Sequence, residues 1–206
     1  MPDLTRRELI AAGAAGAALA TAGGIALAEE LGPKSGAPRL RHDKTPAKFN
    51  LAAIKPHILT EWGSVRECTV KNFSILAESD AAVFLLTMKP GALREPHWHP
   101  NAWEVDWVID GKAELCVVNP DDTTQTVVLE PGDVGFIPQA WAHFIRNPGK
   151  TELKMVLTFG NNEPNDIGLS TMFAGMPTDT FTETLGLKKS GLDGADKPDK
   201  TLFFVS

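Results

Sequence analysis

Two segments of this chain carry three histidines and a carboxylate at spacings that a β-sheet can gather to one point. The first runs Gly91-Ala92-Leu93-Arg94-Glu95-Pro96-His97-Trp98-His99 and continues to Glu104 and Gly111. The second runs Gly132-Asp133-Val134-Gly135-Phe136-Ile137-Pro138 and continues through Ala140 and His143 to Asn147. On a strand, alternate side chains share a face, so His97 and His99 can point into one interior. Glu104 can return to the same place after a turn at Pro100-Asn101, and His143 comes from a second hairpin behind Pro138. Three neutral imidazoles and one carboxylate leave two positions of an octahedron open. That set suits Mn(II) or Fe(II), with Zn, Ni, Co and Cu as alternatives. Open positions admit a substrate or O2. An isolated H-x-H pair is more often an ordinary surface or core feature; here the glycines, the proline, Asn147 and the ligand spacings agree with one another.

The surrounding pattern predicts a β-structure. Val65–Val70, Ala82–Lys89, Glu104–Ile109, Ala113–Asn119, Thr124–Leu129, Asp133–Ile137, His143–Arg146 and Leu153–Phe159 read as short strands. Gly/Pro turns such as Lys89-Pro90-Gly91, Asp110-Gly111-Lys112 and Asn147-Pro148-Gly149 separate them. Many short strands with such punctuation indicate an all-β sandwich or barrel. No internal repeat is present, so one barrel is expected. Asn161–Asp166 reads as a loop, Pro177–Leu187 as a helix, and residues 188–200 as irregular.

The first residues read differently. Arg6-Arg7 precede an apolar, Ala/Gly-rich stretch that ends in Ala26-Leu27-Ala28. This predicts a cleaved signal over residues 1–28 that resembles a twin-arginine signal, and hence a periplasmic or secreted protein. The apolar stretch is short for a stable membrane span. Residues 29–50, broken by Pro33, Pro38 and Pro46, predict a polar arm, leaving residues 51–206 as a single domain. With 206 residues, 43% of them hydrophobic, the chain can build one sizeable core. A net charge of -6 without a basic stripe argues against a nucleic-acid partner, and an acidic substrate would need a local cation. Cys68 and Cys116 are too few for a disulfide framework and are expected as separate, mostly buried thiols.

The two segments resemble the motifs of the cupin superfamily, G-x5-H-x-H-x3-4-E-x6-G and G-x5-P-x-G-x2-H-x3-N. The first matches from Gly91 to Gly111, and the second from Gly132 to Asn147 with Ala140 in place of a glycine. That replacement requires a backbone acceptable to alanine. The stretch Arg94-Glu95-Pro96-His97-Trp98-His99 is similar to the signature of the oxalate decarboxylase and germin-type branch, here in single-barrel form. The resemblance implies a jelly-roll β-barrel, a double-stranded β-helix, with a short C-terminal helical extension. It also implies a metal held by His97, His99, Glu104 and His143, manganese foremost, with O2 as electron sink or relay and a small dicarboxylate as substrate.

Three further residues are expected to act. The resemblance implies that Arg94 holds and polarises oxalate; its planar fork matches a carboxylate, and the alternative is a surface pair with Glu95 or Glu67. It also implies that Glu163, in the loop serving as lid, supplies the proton that yields formate. A gapless register aligns the lid without that acid, and a short deletion places Glu163 on it; the alternative is a solvated loop carboxylate. Asp106 follows from strand alternation alone. If Glu104 points inward so does Asp106, as a proton donor or a partner to a histidine N–H, unless a bulge turns it to solvent. The opposite face, Val105, Trp107 and Ile109, needs cover from a neighbouring strand, the polar arm or a second copy in a homo-oligomer.

Three functions follow as expectations. The first is a manganese cupin that decarboxylates oxalate to formate and CO2. The second is an oxalate oxidase, or another small-acid or diketone dioxygenase, using Fe or Cu. The third is a non-catalytic protein that binds a metal or small ligand.

Overall fold

The computed structural model describes residues 47–192, 198 and 202–206. The expected signal over residues 1–28 and most of the arm over residues 29–50 lie outside the described residues. The strands are β1 (Ile58–Leu59), β2 (Gly63–Cys68), β3 (Ala82–Met88), β4 (Leu93–Trp98), β5 (Glu104–Asp110), β6 (Ala113–Val118), β7 (Thr124–Leu129), β8 (Val134–Ile137), β9 (His143–Arg146), β10 (Leu153–Phe159), β11 (Ile167–Gly168) and β12 (Phe204–Val205). Helices α1 (Leu169–Gly175) and α2 (Thr178–Thr184) follow β11.

These strands form two antiparallel sheets. One has the order β1-β2-β3-β10-β5-β8, and the other β11-β4-β9-β6-β7, with β12 also pairing β4. This is the jelly roll that the resemblance implied, and it agrees with the sandwich or barrel expected from the strand pattern. β10 is the spine of the first sheet, paired to β3 along its whole length and to β5 through Phe159↔Glu104. Its alternation explains why: Leu153, Met155, Leu157 and Phe159 are buried, while Lys154 faces out. Truncating fully buried Leu153 or Met155 to alanine should cost about 2–5 kcal/mol.

The motif residues that are not ligands close the turns. Gly111 sits at φ +83°, and a Cβ there would lie 2.6 Å from the Glu152 carbonyl oxygen, so both conformation and space demand glycine. Fully buried Asn147 donates through Nδ2 to the carbonyls of Met88 (3.0 Å) and Thr151 (2.8 Å) and accepts from the Gly149 N–H (2.9 Å). It is a structural staple between β3 and the turn into β10. Ala140 departs from expectation. Its φ is +66°, so alanine occupies a left-handed position instead of replacing the glycine with a compatible backbone.

β4 was not among the expected strands, although the alternation of His97 and His99 assumed one. Pro96 obscured it. Pairing of β4 with β9 shifts register between Arg94 and His97, and the proline, which has no N–H to give the ladder, sits in that irregularity. On β5 the alternation holds: Glu104, Asp106 and Val108 are buried, and Trp107 (52% exposed) and Ile109 (44%) face out. Edge strand β8 adds exposed Val134 and Phe136 to the same face, opposite Trp107 and Val105. No described residue covers this apolar patch. Cys68 and Cys116 are both free.

Candidate metal centre

Four side chains from three strands and one turn converge. His97 lies on β4, His99 just past its end, Glu104 opens β5 and His143 opens β9. Register fixes two of them directly, because His97 is paired with His143. One ligand atom from each of the four lies within 4.8 Å of the others, and all four residues are buried. Glu104 Oε2 is 3.0 Å from His99 Nε2 and 3.2 Å from His143 Nε2.

The hydrogen bonds define the chemistry. Nδ1 of His97 meets the Glu95 carbonyl at 2.8 Å, Nδ1 of His99 the Asn165 carbonyl at 2.7 Å, and Nδ1 of His143 the Trp141 carbonyl at 3.0 Å. A carbonyl only accepts, so each Nδ1 carries the proton and each neutral ring turns an Nε2 lone pair toward the centre. Both Glu104 oxygens and His143 Nε2 are buried with no hydrogen-bond partner. Lone pairs converging without a donor among them are costly to bury. A divalent cation resolves that conflict, and the residues present fit one.

The carboxyls beside the cage separate electrostatically. Burial pushes Glu104 up; a donor or positive charge facing it from His143 and His99, or a cation in the cage they share, holds it well below the usual carboxylate range. Asp106 has no cation beside it. Burial first, then the Glu104 charge, pushes it well above that range. Asp106 is fully buried and inward, as alternation requires, and both its oxygens lack partners. It accepts from none of the three imidazole N–H groups, because backbone carbonyls take all of them; the expected partnership with a histidine N–H is therefore corrected. Asp106 also lies behind the cavity lining rather than in it.

The cage opens onto a cavity of about 640 Å³, lined among others by Arg94, His97, His99, Phe159, Glu163 and Phe203. Arg94 is 2% exposed. It is not the surface arginine of the alternative reading. Its Nη2 pairs with Asp166, its Nη1 lies 4.0 Å from Glu95 Oε1 without a hydrogen bond, and its Cζ sits 3.6 Å from the centroid of the Phe203 ring. Asp166 as partner was not foreseen, since it is 72 residues away and only loop closure brings it in.

That loop, residues 161–166, lines the cavity through Glu163, Pro164, Asn165 and Asp166. Asn101 holds it, donating from Nδ2 to the Glu163 carbonyl (3.1 Å) and accepting from the Asn165 N–H (2.8 Å). The Asn165 carbonyl is itself the anchor of His99. Glu163 lines the cavity, but its carboxylate is paired with Lys71, and both side chains are largely exposed.

Comparison with known proteins agrees with this architecture. The cupin family model matches residues 49–191. Oxalate decarboxylase OxdC of Bacillus subtilis is 34% identical over 153 residues, covering 74% of this chain and 39% of that protein. Germin-like protein subfamily 2 member 2 of Arabidopsis thaliana is 27% identical over 156 residues, covering 72% and 71%. A solved structure of the Bacillus subtilis oxalate decarboxylase, from work on its Mn(II) centres, superposes with a TM-score of 0.68 at 32% identity, covering 75% of this chain and 40% of that one. This chain thus spans about two fifths of the decarboxylase it matches. A jelly roll of two antiparallel sheets, a buried three-histidine, one-glutamate cluster and a matching family model together establish that the chain belongs to the cupin family.

Proposed function

We propose that this chain is a metal-dependent enzyme that decarboxylates oxalate to formate and CO2, with manganese held by His97, His99, Glu104 and His143. One observation carries the reading: a cage of three imidazoles and a carboxylate opens onto a cavity whose wall holds a buried arginine. Likeness to a decarboxylase with Mn(II) centres supports the choice of ion and substrate. Manganese held by these four residues would supply Lewis acidity and one-electron chemistry, with O2 as electron sink or relay.

The chain's own residues do the rest. Arg94, in the cavity wall, binds one carboxylate of oxalate through the part of its guanidinium that Asp166 leaves free. The loop over residues 161–166 excludes water while closed. Oxalate dianion plus one proton gives formate plus CO2, so one proton must reach the carbon left behind. Glu163, at the cavity edge, delivers it once it parts from Lys71, with Asp106, behind the lining, as the substitute donor. The Lys71 pair also favours a second reading. While Lys71 holds Glu163 the acid is engaged, and oxalate with two protons and O2 goes instead to two CO2 and hydrogen peroxide.

The reading includes export by the twin-arginine route and a homo-oligomer built on the patch of Trp107, Ile109, Val134 and Phe136. To test it, metal-loaded protein is incubated with oxalate at acidic pH, and formate, CO2 and peroxide are assayed separately. Formate in step with oxalate loss supports decarboxylation. Peroxide without formate replaces it with the oxidase. Neither product, with metal tightly retained, leaves a binding protein. The metal content of freshly purified protein identifies the ion.

A further inference from the structure

The residues that pair with Arg94 on one side of β4 come from the other end of the described chain. β12 pairs with β4 at Phe204↔Arg94 and Val205↔Leu93. One buried carboxylate secures this strand. Glu95 accepts from the Phe203 N–H (3.1 Å), the Ser170 N–H (2.7 Å) and the Ser170 hydroxyl (2.8 Å), while its own N–H donates to the Phe203 carbonyl (3.0 Å). The Ser170 hydroxyl accepts in turn from the Leu202 N–H at 3.1 Å.

Phe203 is the unusual member of this clamp. Its φ is +61°, a conformation that costs a bulky residue about 1–3 kcal/mol. Phe204 beside it is 3% exposed and packs in the core; the Phe203 ring packs at the edge of that core, 4.9 Å from the Phe204 ring, and also lies against the Arg94 guanidinium and lines the cavity. A strained backbone that puts a ring on a buried cation beside a ligand cavity calls for a reason beyond packing. Leucine or valine would fill the space without offering a π face.

We infer that Phe203 is a positioning residue for the carboxylate site: its ring and the Asp166 carboxylate hold the Arg94 guanidinium in one plane at the cavity wall, where it meets a substrate carboxylate. Asp166 alone fixes one nitrogen and leaves the fork free to rotate about it; the ring removes that rotation. This rests on the proposal that Arg94 binds a carboxylate. It adds that β12 completes the site, so a segment far from both motifs sets the affinity for the anion.

The test uses the full chain loaded with manganese, with metal content matched across variants. Binding of oxalate, and of acetate as a minimal carboxylate, is measured by calorimetry for wild type, Phe203→Tyr, Phe203→Leu and Phe203→Ala. Phe203→Tyr keeps the ring and should bind within about twofold of wild type. Phe203→Leu keeps apolar bulk without a π face and should bind about tenfold more weakly, as a misaligned anchor does. Equal binding by Phe203→Leu and Phe203→Tyr overturns the inference. If Phe203→Ala fails to fold, the tyrosine–leucine comparison still decides.

A second readout needs no ligand. In ¹⁵N-labelled protein with diamagnetic zinc in the cage, the ring shifts the Arg94 Nε–H resonance. That shift should persist in Phe203→Tyr and vanish in Phe203→Leu. A wild type that shows the ring shift but binds no carboxylate sinks the carboxylate-site reading and, with it, the role assigned to Phe203. A wild type that binds carboxylates without the ring shift sinks the inference alone.

Discussion

Replacing Ala140 by glycine should stabilise the protein. Ala140 is the third residue of the turn Pro138–Trp141, closed by the Trp141 N–H to the Pro138 carbonyl at 3.1 Å, and its φ of +66° belongs to the left-handed region. Its own N–H donates to the His99 carbonyl at 3.0 Å, so the turn cannot relax without releasing the chain next to a cage residue. Ala140 is exposed, so its methyl group adds little buried apolar surface. Left-handed backbone costs an L-residue about 1–2 kcal/mol, which glycine avoids. Against this, glycine widens the unfolded ensemble at a cost of about 0.4–1 kcal/mol. The difference is a gain of about 0.5–1 kcal/mol. For a chain of this size that raises Tm by about 1–4 °C. The assay is thermal denaturation of metal-loaded wild type and Ala140→Gly with metal content matched. An unchanged or lower Tm at equal metal content would refute the claim that the turn is strained.

Three other outcomes follow from the geometry. Glu104→Gln keeps the shape of the cage and removes its charge, so metal retained after dialysis should fall by about two orders of magnitude; retention at wild-type level would mean the ion is not held there. Asn101→Ala removes both side-chain bonds to the loop and should speed hydrogen exchange of the Asn165 amide about tenfold, read by NMR; unchanged protection would show that other contacts close the loop. Phe136→Glu places a charge in the exposed patch on β5 and β8, so sedimentation should report a smaller species than wild type; identical mass would exclude that face as the interface.

How much of this was legible depended on whether the signal was local. The cage could be read because strand alternation and turn spacing fix its geometry within two short segments. Leu153–Phe159 and His143–Arg146 could be read because β-branched and apolar residues alternate between clear turns. Asp106 could be read as inward for the same reason, but not its lack of partners, which depends on what packs opposite. β4 was obscured by Pro96, whose penalty in a ladder is absorbed by a register shift that no periodicity announces. The Arg94–Asp166 pair, the Asn165 anchor of His99 and the Phe203 ring were out of reach. Each joins residues far apart in the chain, and each depends on a closed loop or a left-handed residue with no marker of its own. Ala140 shows the opposite hazard: motif and sequence disagreed at one position, and the backbone kept the motif's geometry.

The Glu95 carboxylate reaches 75 residues forward to Ser170 and 108 to Phe203. Contacts so distant form late, because the entropy of closing large loops is spent before they return anything. The sheets can therefore assemble while one wall of the cavity is still missing. In refolding, the cage should accept its ion through that gap, and capture should slow sharply once the wall is in place. Chain newly diluted from denaturant should take up manganese faster than finished apoprotein does.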